Sequence, residues 1–242
     1  MRATLERFEV HALLARGSRV DTYDVTDPDR DCRAVLKVVR PDRAAEPHVV
    51  AALRTEGELL TTLAHPHLVL GYEVLDDAVL LETLPGRTLA ALIDDGPLGV
   101  RDTALVGRQL ASVLGYLHRH GWLHLDVKPE NVVVQEGRVV LIDLGLATPP
   151  GRLERSVGTE GYAAPEQDAG RTVSAATDVW GLGVTLAECL EGRGAGALRE
   201  LVADCCRPDP AERASVAEVA ARLDAVLAMP SRPSWWRSRR PR

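Results

Sequence analysis

The sequence predicts an α+β fold in two lobes, a smaller β-rich one followed by a larger, mainly helical one. Three observations predict it. Strand-like runs fill the first third of the chain, helical periodicity takes over afterwards, and Pro85-Gly86 breaks the chain between them, which places a cleft near Leu84. With 242 residues there is length for one large domain or two closely packed lobes.

The elements follow in order. Residues 7 to 39 read as strands with turns, including Asp27-Pro28-Asp29 between two runs. Ala34-Val35-Leu36-Lys37-Val38-Val39 is an apolar run interrupted by one cation. Residues 47 to 64 read as a helix with Val49, Leu53, Leu60 and Leu63 on one face, and Glu56 falls on that stripe. A lysine in an apolar strand and a glutamate on a buried stripe each cost several kcal/mol to desolvate alone. The sequence therefore predicts a Lys37–Glu56 ion pair. Strands are expected around 68–75 and 78–82. A helix over 101–120 sets Val106, Leu110, Val113, Leu114 and Leu117 at helical spacing, with Gly121 as its stop. Short strands at 132–135 and 138–142 flank the turn Glu136-Gly137, and helices follow near 176–191, 196–206 and 215–228.

Composition narrows the function class. The chain is 45% hydrophobic and 26% charged, ordinary values for a soluble globular protein, and no apolar stretch reaches membrane-spanning length. The polar start, Met1 to Glu6, leads to the expectation that no secretory signal is present. Cys32, Cys189, Cys205 and Cys206 lack zinc-ligand spacing, so reduced thiols in a cytoplasmic protein are expected. The net charge is −6, but five arginines lie within 232–242, and the remaining body is more acidic still. Such a body does not read as a nucleic-acid binder. Of 29 basic residues only Lys37 and Lys128 are lysines. Arginine and lysine differ where a slender ammonium must enter a confined site, so these two positions are candidates for chemistry.

Lys128 lies in His124-Leu125-Asp126-Val127-Lys128-Pro129-Glu130-Asn131, directly after the long helix, and Asp143-Leu144-Gly145 follows the hairpin. These groups suit phosphoryl transfer. One carboxylate can orient a hydroxyl and accept its proton, while an amide and a second carboxylate offer hard oxygens to Mg²⁺. Lys128, two residues beyond Asp126, can reach a transferring phosphoryl group.

On these residues the chain resembles the eukaryotic-like, bacterial-type Ser/Thr protein kinase family, from about residue 8 to 228. Ala34 to Lys37 resembles the family's strand-lysine motif, and Glu56, ahead of His65-Pro66, its helix glutamate. His124 to Asn131 resembles the catalytic loop and Asp143-Leu144-Gly145 the DFG triplet. Gly158-Thr159 and Tyr162-Ala163-Ala164-Pro165-Glu166 resemble the P+1 loop and APE motif. Asp178 to Gly183 resembles the helix that anchors the catalytic loop, and Arg213, after Asp209-Pro210, the arginine that pairs with Glu166. Both lysines fall on the family's two catalytic lysine positions.

The resemblance implies a bilobal kinase fold with a lobe boundary at 84/85, a basic Trp/Arg tail over 229–242, and a set of roles. Lys37, positioned by Glu56, would hold the α- and β-phosphates of ATP. Asn131 and Asp143 would bind Mg²⁺ or Mn²⁺, Asp126 would orient the substrate hydroxyl, and Lys128 would neutralise developing charge. Glu82 and Leu84 would offer backbone groups to adenine, with Leu81 as gatekeeper and Val35 and Val133 against the base. Lys128 with Thr159 is the Ser/Thr pattern, and Thr159 is expected to contact Asp126 and Lys128. Leu60, His124 and Leu144 would stack as a hydrophobic spine. The implied partners are ATP and a protein substrate.

Departures from the family pattern are specific. Its three loop glycines align with Ala15, Gly17 and Val20, and Thr22 replaces the valine that covers adenine, so the phosphate cradle should be stiffer. Arg16 and Arg19 read either as compensating phosphate ligands or, the reading preferred, as solvated loop residues. Leu125 replaces the HRD arginine that grips a phosphorylated activation loop, which implies activity without that switch; Ser156 and Thr148 are the hydroxyls open to autophosphorylation. The stretch between Glu188 and Arg213 is short, bridged by Gly192-Arg193-Gly194-Ala195-Gly196, which implies a reduced G-helix region. The tail, with Trp235, Trp236 and five arginines, suits either an anionic membrane surface or acidic partner, or a disordered end. A nucleotide-binding pseudokinase scaffold and a small-molecule phosphotransferase are the competing readings. Segments 162–166 and 178–183 disfavour the second of these. No oligomeric state follows from the sequence.

Overall fold

Why the chain divides as it does begins with strand length and connection. A computed structural model describes residues 2–192 and 196–229, and the chain folds as two compact units. The first comprises residues up to Pro85 together with Asp143–Gly145; the second comprises Gly86–Ile142 and the described residues from Leu146 onward. The Arg/Trp tail and residues 193–195 of the glycine-rich bridge lie outside the described residues.

In the first unit a short helix α1 (Arg2–Glu6) leads into β1 (Glu9–Arg16), β2 (Val20–Asp27) and β3 (Cys32–Val39), then helix α2 (Pro47–Thr62), β4 (Gly71–Val74) and β5 (Ala78–Glu82). The five strands form one antiparallel sheet in the order β1-β2-β3-β5-β4. Side chains alternate across a strand. Ala34, Leu36 and Val38 accordingly enter a core with Phe8, Val25, Ala78 and Leu80, while Val35 and Lys37 point to the opposite face. The register Lys37–Val79 and Val35–Leu81, continued by Thr22–Lys37, Val20–Val39 and Ala15–Thr22, sets Ala15, Val20, Val35, Lys37 and Leu81 on that second face. Helix α2 buries Val49, Leu53, Leu59 and Leu60. It approaches the sheet at Gly57, where a Cβ would lie 2.6 Å from a Val79 methyl and 2.9 Å from one of Val74.

One strand is shorter than the sequence predicts. Strand β4 starts only at Gly71: Leu68 N–H turns back to His65 C=O at 3.0 Å, while Leu70 C=O accepts from Glu82 N–H at 2.9 Å at the end of the ladder. Leu68 and Val69 are apolar for burial, at 2% and 3% exposure, and not for pairing.

The second unit starts with β6 (Arg87–Thr88), α3 (Leu89–Asp94) and the 20-residue α4 (Val100–Arg119), followed by β7 (Val132–Gln135) and β8 (Arg138–Leu141). Strands β6, β7 and β8 form a three-stranded antiparallel sheet. Then come β9 (Gly151–Arg152), α5 (Pro165–Asp168), β10 (Thr172–Val173), α6 (Ala175–Leu190), α7 (Ala197–Cys205) and α8 (Val216–Ala228). Helix α4 is the hub. Its Gly107 lies so near α6 and α8 that a Cβ would meet Leu186 at 2.8 Å and Leu223 at 3.0 Å. Leu110, Leu114 and Leu117 are fully buried in this core. Serines cap α6 and α8: Ser174 accepts from Ala176 N–H, and Ser215 from Glu218 N–H. Six residues, 191–196, separate α6 from α7. No helix among the described residues is long and apolar enough to cross a membrane.

Candidate active site

In the first unit the chemistry gathers around Lys37. Its Nζ lies 2.6 Å from Glu56 Oε1 and 3.0 Å from Asp143 Oδ2. The ion pair expected from a cation in an apolar strand and an anion on a buried stripe is thus present, and the Asp143 carboxylate joins it. Lys37 is 12% exposed and Glu56 4%. Burial works against the ammonium charge, but the two carboxylates outweigh it and hold Lys37 well above its ordinary value. Burial pushes the Glu56 carboxyl up, with Lys37 opposing and Asp143 adding to the rise. Glu56 Oε1 also accepts from Leu144 N–H at 3.3 Å, and Asp143 Oδ1 from Gly145 N–H at 2.7 Å. Asp143 keeps an accessible carboxylate, 39% exposed.

The turn at Gly17 is closed on itself. Gly17 N–H donates to Val20 C=O at 3.0 Å, and Gly17 C=O accepts from Arg40 Nη1 at 3.1 Å. A Cβ at Gly17 would lie 2.6 Å from Val20 O, so this position requires glycine for close backbone approach. Glu82 turns its side chain to Leu70 N–H at 2.9 Å and donates its own N–H to Leu70 C=O at 2.9 Å. Leu81 is buried and Leu84 half-buried.

In the second unit the loop over 124–131 centres on Asp126. Its Oδ1 accepts from Thr159 Oγ1 at 2.6 Å, and its Oδ2 from Asn131 Nδ2 at 2.9 Å. Lys128 Nζ lies 2.8 Å from Asp126 Oδ2 and donates to Thr159 Oγ1 at 2.5 Å. Asn131 Nδ2 also reaches Asp126 C=O at 2.9 Å, which leaves the amide oxygen as the atom available to a metal. Val133 is buried on β7, next to this loop in the chain. Asp126 is 15% exposed and Lys128 17%, enough for a substrate to reach them.

Helix α6 holds this loop in place. Asp178, fully buried, accepts from Leu125 N–H at 2.8 Å through Oδ1 and from His124 N–H at 2.9 Å through Oδ2. The His124 ring accepts from Asp126 N–H at 3.1 Å, and Thr185 Oγ1 donates to Val127 C=O at 3.3 Å. Glu166 and Arg213 form a two-pronged ion pair. Burial works against the Glu166 charge, but the guanidinium and Thr177 hydroxyl outweigh it and lower its carboxyl from the usual value.

Sequence reasoning missed two contributors and the backbone conformation of a third residue. His118 Nε2 meets Asp178 Oδ2 at 2.8 Å; its signal was a polar residue beside the apolar stripe of α4. Gln167 Nε2 donates to Leu125 C=O at 2.9 Å; its signal was a glutamine three residues after Ala164, the spacing of a reciprocal helix cap, and its Oε1 does accept from Ala164 N–H at 3.1 Å. Leu125 adopts a left-handed backbone with φ 63°, for which leucine gives no signal at all. That conformation costs a leucine about 1–2 kcal/mol.

Comparison with known proteins gives a consistent set of likenesses. The family model "Protein kinase domain" matches residues 8–196. The serine/threonine-protein kinase PknB of Mycolicibacterium smegmatis is 29% identical over 204 residues, covering 77% of this chain and 33% of that protein. PknD of Mycobacterium tuberculosis is 31% identical over 196 residues, 76% of this chain and 30% of that protein. PrkC of Bacillus subtilis is 26% identical over 198 residues, 77% and 31% respectively. The chain spans about a third of the length of the curated relatives it matches.

Proposed function

The chain belongs to the protein kinase domain family, and from that premise we propose that it transfers the γ-phosphoryl group of Mg-ATP to a serine or threonine hydroxyl of a protein substrate. The arrangement of Asp126 carries this reading. Its carboxylate is fixed by an amide, an ammonium and a hydroxyl, yet stays partly exposed. Asp126 orients the acceptor hydroxyl and takes its proton as the oxygen bonds to the γ-phosphorus. The bond to the β-phosphate oxygen breaks, and ADP leaves with that electron pair. Lys128 offers its charge to the transferring group, and Lys37, kept cationic by Glu56 and Asp143, binds the α- and β-phosphates.

Among the described residues no three His, Cys, Asp or Glu side chains converge as a metal cluster. The donors fit a magnesium ion that arrives on phosphate oxygens, because such an ion needs only one or two protein oxygens. Asp143 and the Asn131 amide oxygen would supply those. When bound, such a metal would neutralise negative charge on the phosphate oxygens. The apolar face carrying Val20, Val35 and Leu81 suits an adenine ring, and the backbone groups near Glu82 and Leu84 suit its edge. Four free cysteines support work in the reducing cytoplasm. Ser156, exposed, is the better candidate for autophosphorylation than half-buried Thr148, whose backbone pairs with Leu123.

One observation favours a second reading, a nucleotide-binding scaffold without turnover: the Gly17 N–H is spent on Val20 and is not offered to phosphate. Intact mass after incubation with Mg-ATP and casein, beside Asp143→Asn and Asp126→Asn, separates the two. Phosphate-sized increments on casein or on the chain in the wild type alone support transfer. A nucleotide-dependent rise in melting temperature with no increment on any acceptor supports the scaffold.

A further inference from the structure

The residue ahead of Asp126 is tied down on three sides. Leu125 N–H donates to Asp178 Oδ1, its C=O accepts from Gln167 Nε2, and its side chain is 3% exposed. A left-handed turn position ordinarily selects glycine or asparagine, so a leucine there is kept for its side chain. That side chain builds an apolar cluster with Leu123 and Val173, against which Leu146, Leu153 and Val157 pack. The last three all belong to the stretch between Asp143-Leu144-Gly145 and Gly158, where a phosphate-dependent switch would act.

A polar tie runs beside the apolar one. Gln167, 2% exposed, also donates from Nε2 to Val157 C=O at 3.3 Å. One amide thus bridges the stretch and the catalytic loop. Gly158 makes room for it: its φ is 110°, and a Cβ would lie 2.9 Å from Gln167 Nε2. Upstream, β9 pairs with β10, and Leu153 N–H donates to Arg171 C=O at 3.2 Å. No ionised side chain takes part in either tie.

We infer that Leu125 and Gln167 are positioning residues that fasten residues 146–157 to the loop bearing Asp126, and so keep that loop ready for transfer with no phosphate on Thr148 or Ser156. This rests on the kinase reading above. An arginine–phosphate clamp weakens with salt and with dephosphorylation, whereas an apolar cluster and a neutral amide respond to neither.

The test uses the full chain after phosphatase treatment, with casein as acceptor, and compares wild type with Leu125→Ala, Leu125→Met, Leu153→Ala and Gln167→Ala. Steady-state rates are read beside amide hydrogen exchange. The dephosphorylated wild type should keep its kcat within about twofold, from low to high salt, after the common salt effect on substrate binding is taken out through KM. Leu125→Ala and Gln167→Ala should lower kcat about tenfold or more while KM for ATP changes less than about threefold. Exchange should quicken over 146–158 while α4 and α6 stay protected, and Leu125→Met should restore both. If Leu125→Ala loses protection throughout, Leu153→Ala, at a half-buried position, decides by the same two readouts. Wild-type kcat and protection in Leu153→Ala and Gln167→Ala would overturn the inference, as would a tenfold loss on dephosphorylating the wild type. If the wild type transfers nothing, the kinase reading fails, and quickened exchange over 146–158 in the variants would then show a tie with a purely structural role.

Discussion

Arg213 uses all five of its N–H donors around Glu166: Nη1 and Nη2 meet the two carboxylate oxygens at 2.6 and 2.7 Å, and the other three bonds go to the carbonyls of Arg207, Ala176 and Pro208. The guanidinium side chain is fully buried and lies 5.0 Å from the centre of the Trp180 ring. A planar fork is required for this, so lysine cannot replace it. Arg213→Ala leaves a buried, uncompensated carboxylate and should cost about 3–5 kcal/mol, with Arg213→Lys nearly as costly. Urea denaturation followed by circular dichroism measures both, and a loss under about 1 kcal/mol would contradict the account.

The same pair sets an acid limit. Glu166 is lowered in the fold, so its contribution is present above the ordinary carboxyl value of 4.5 and is lost as pH falls through the folded value. Melting temperatures from pH 3 to 7 should show a shallower acid slope below about 4.5 in Glu166→Gln than in wild type. Parallel curves would remove Glu166 from the explanation.

Lys37 sits where an ammonium meets two carboxylates at 2.6 and 3.0 Å. Arginine is bulkier and cannot converge on both in that confined space, so Lys37→Arg should lower kcat/KM for ATP at least about a hundredfold. Glu56→Gln keeps an oxygen for Lys37 and for Leu144 N–H but removes charge, and should cost about tenfold. Initial rates at varied ATP give both values. An active Lys37→Arg enzyme would contradict this placement of the phosphates.

Thr159 passes one hydroxyl between Asp126 and Lys128. Thr159→Ala should reduce kcat by about tenfold and leave KM for ATP near its wild-type value, and Thr159→Ser should recover most of the loss. A loss that serine does not repair would assign the effect to the methyl group's packing.

Burial pushes the Cys189 and Cys205 thiols up to about 12, far from the thiolate form at neutral pH. Iodoacetamide at pH 8 should therefore spare both in the native chain and modify them only after denaturation, as peptide mass mapping will read. Labelling of Cys189 in the native state would mean that α6 opens locally.

The sequence by itself determined the strand with a lysine on one face and the helix with a glutamate on its buried stripe. These follow from period-two and period-3.6 patterning and from the cost of burying charge alone, and they are local or nearly so. The partnership of Arg213 with Glu166 follows only from the resemblance to the kinase family. The tertiary structure decided the rest. Strands of two residues, as in β9 and β10, have no periodicity to detect; they exist because the chain brings 151–152 beside 172–173. The run at 68–70 looks like strand, but Leu68 and Val69 are core and Leu70 is exposed, since burial and pairing favour the same apolar residues. No motif marks Leu125 or Gln167 as a tie between segments. Their contacts arise from the crossing of the 124–131 loop, α5 and α6, where a left-handed backbone is held by packing and hydrogen bonds from three directions.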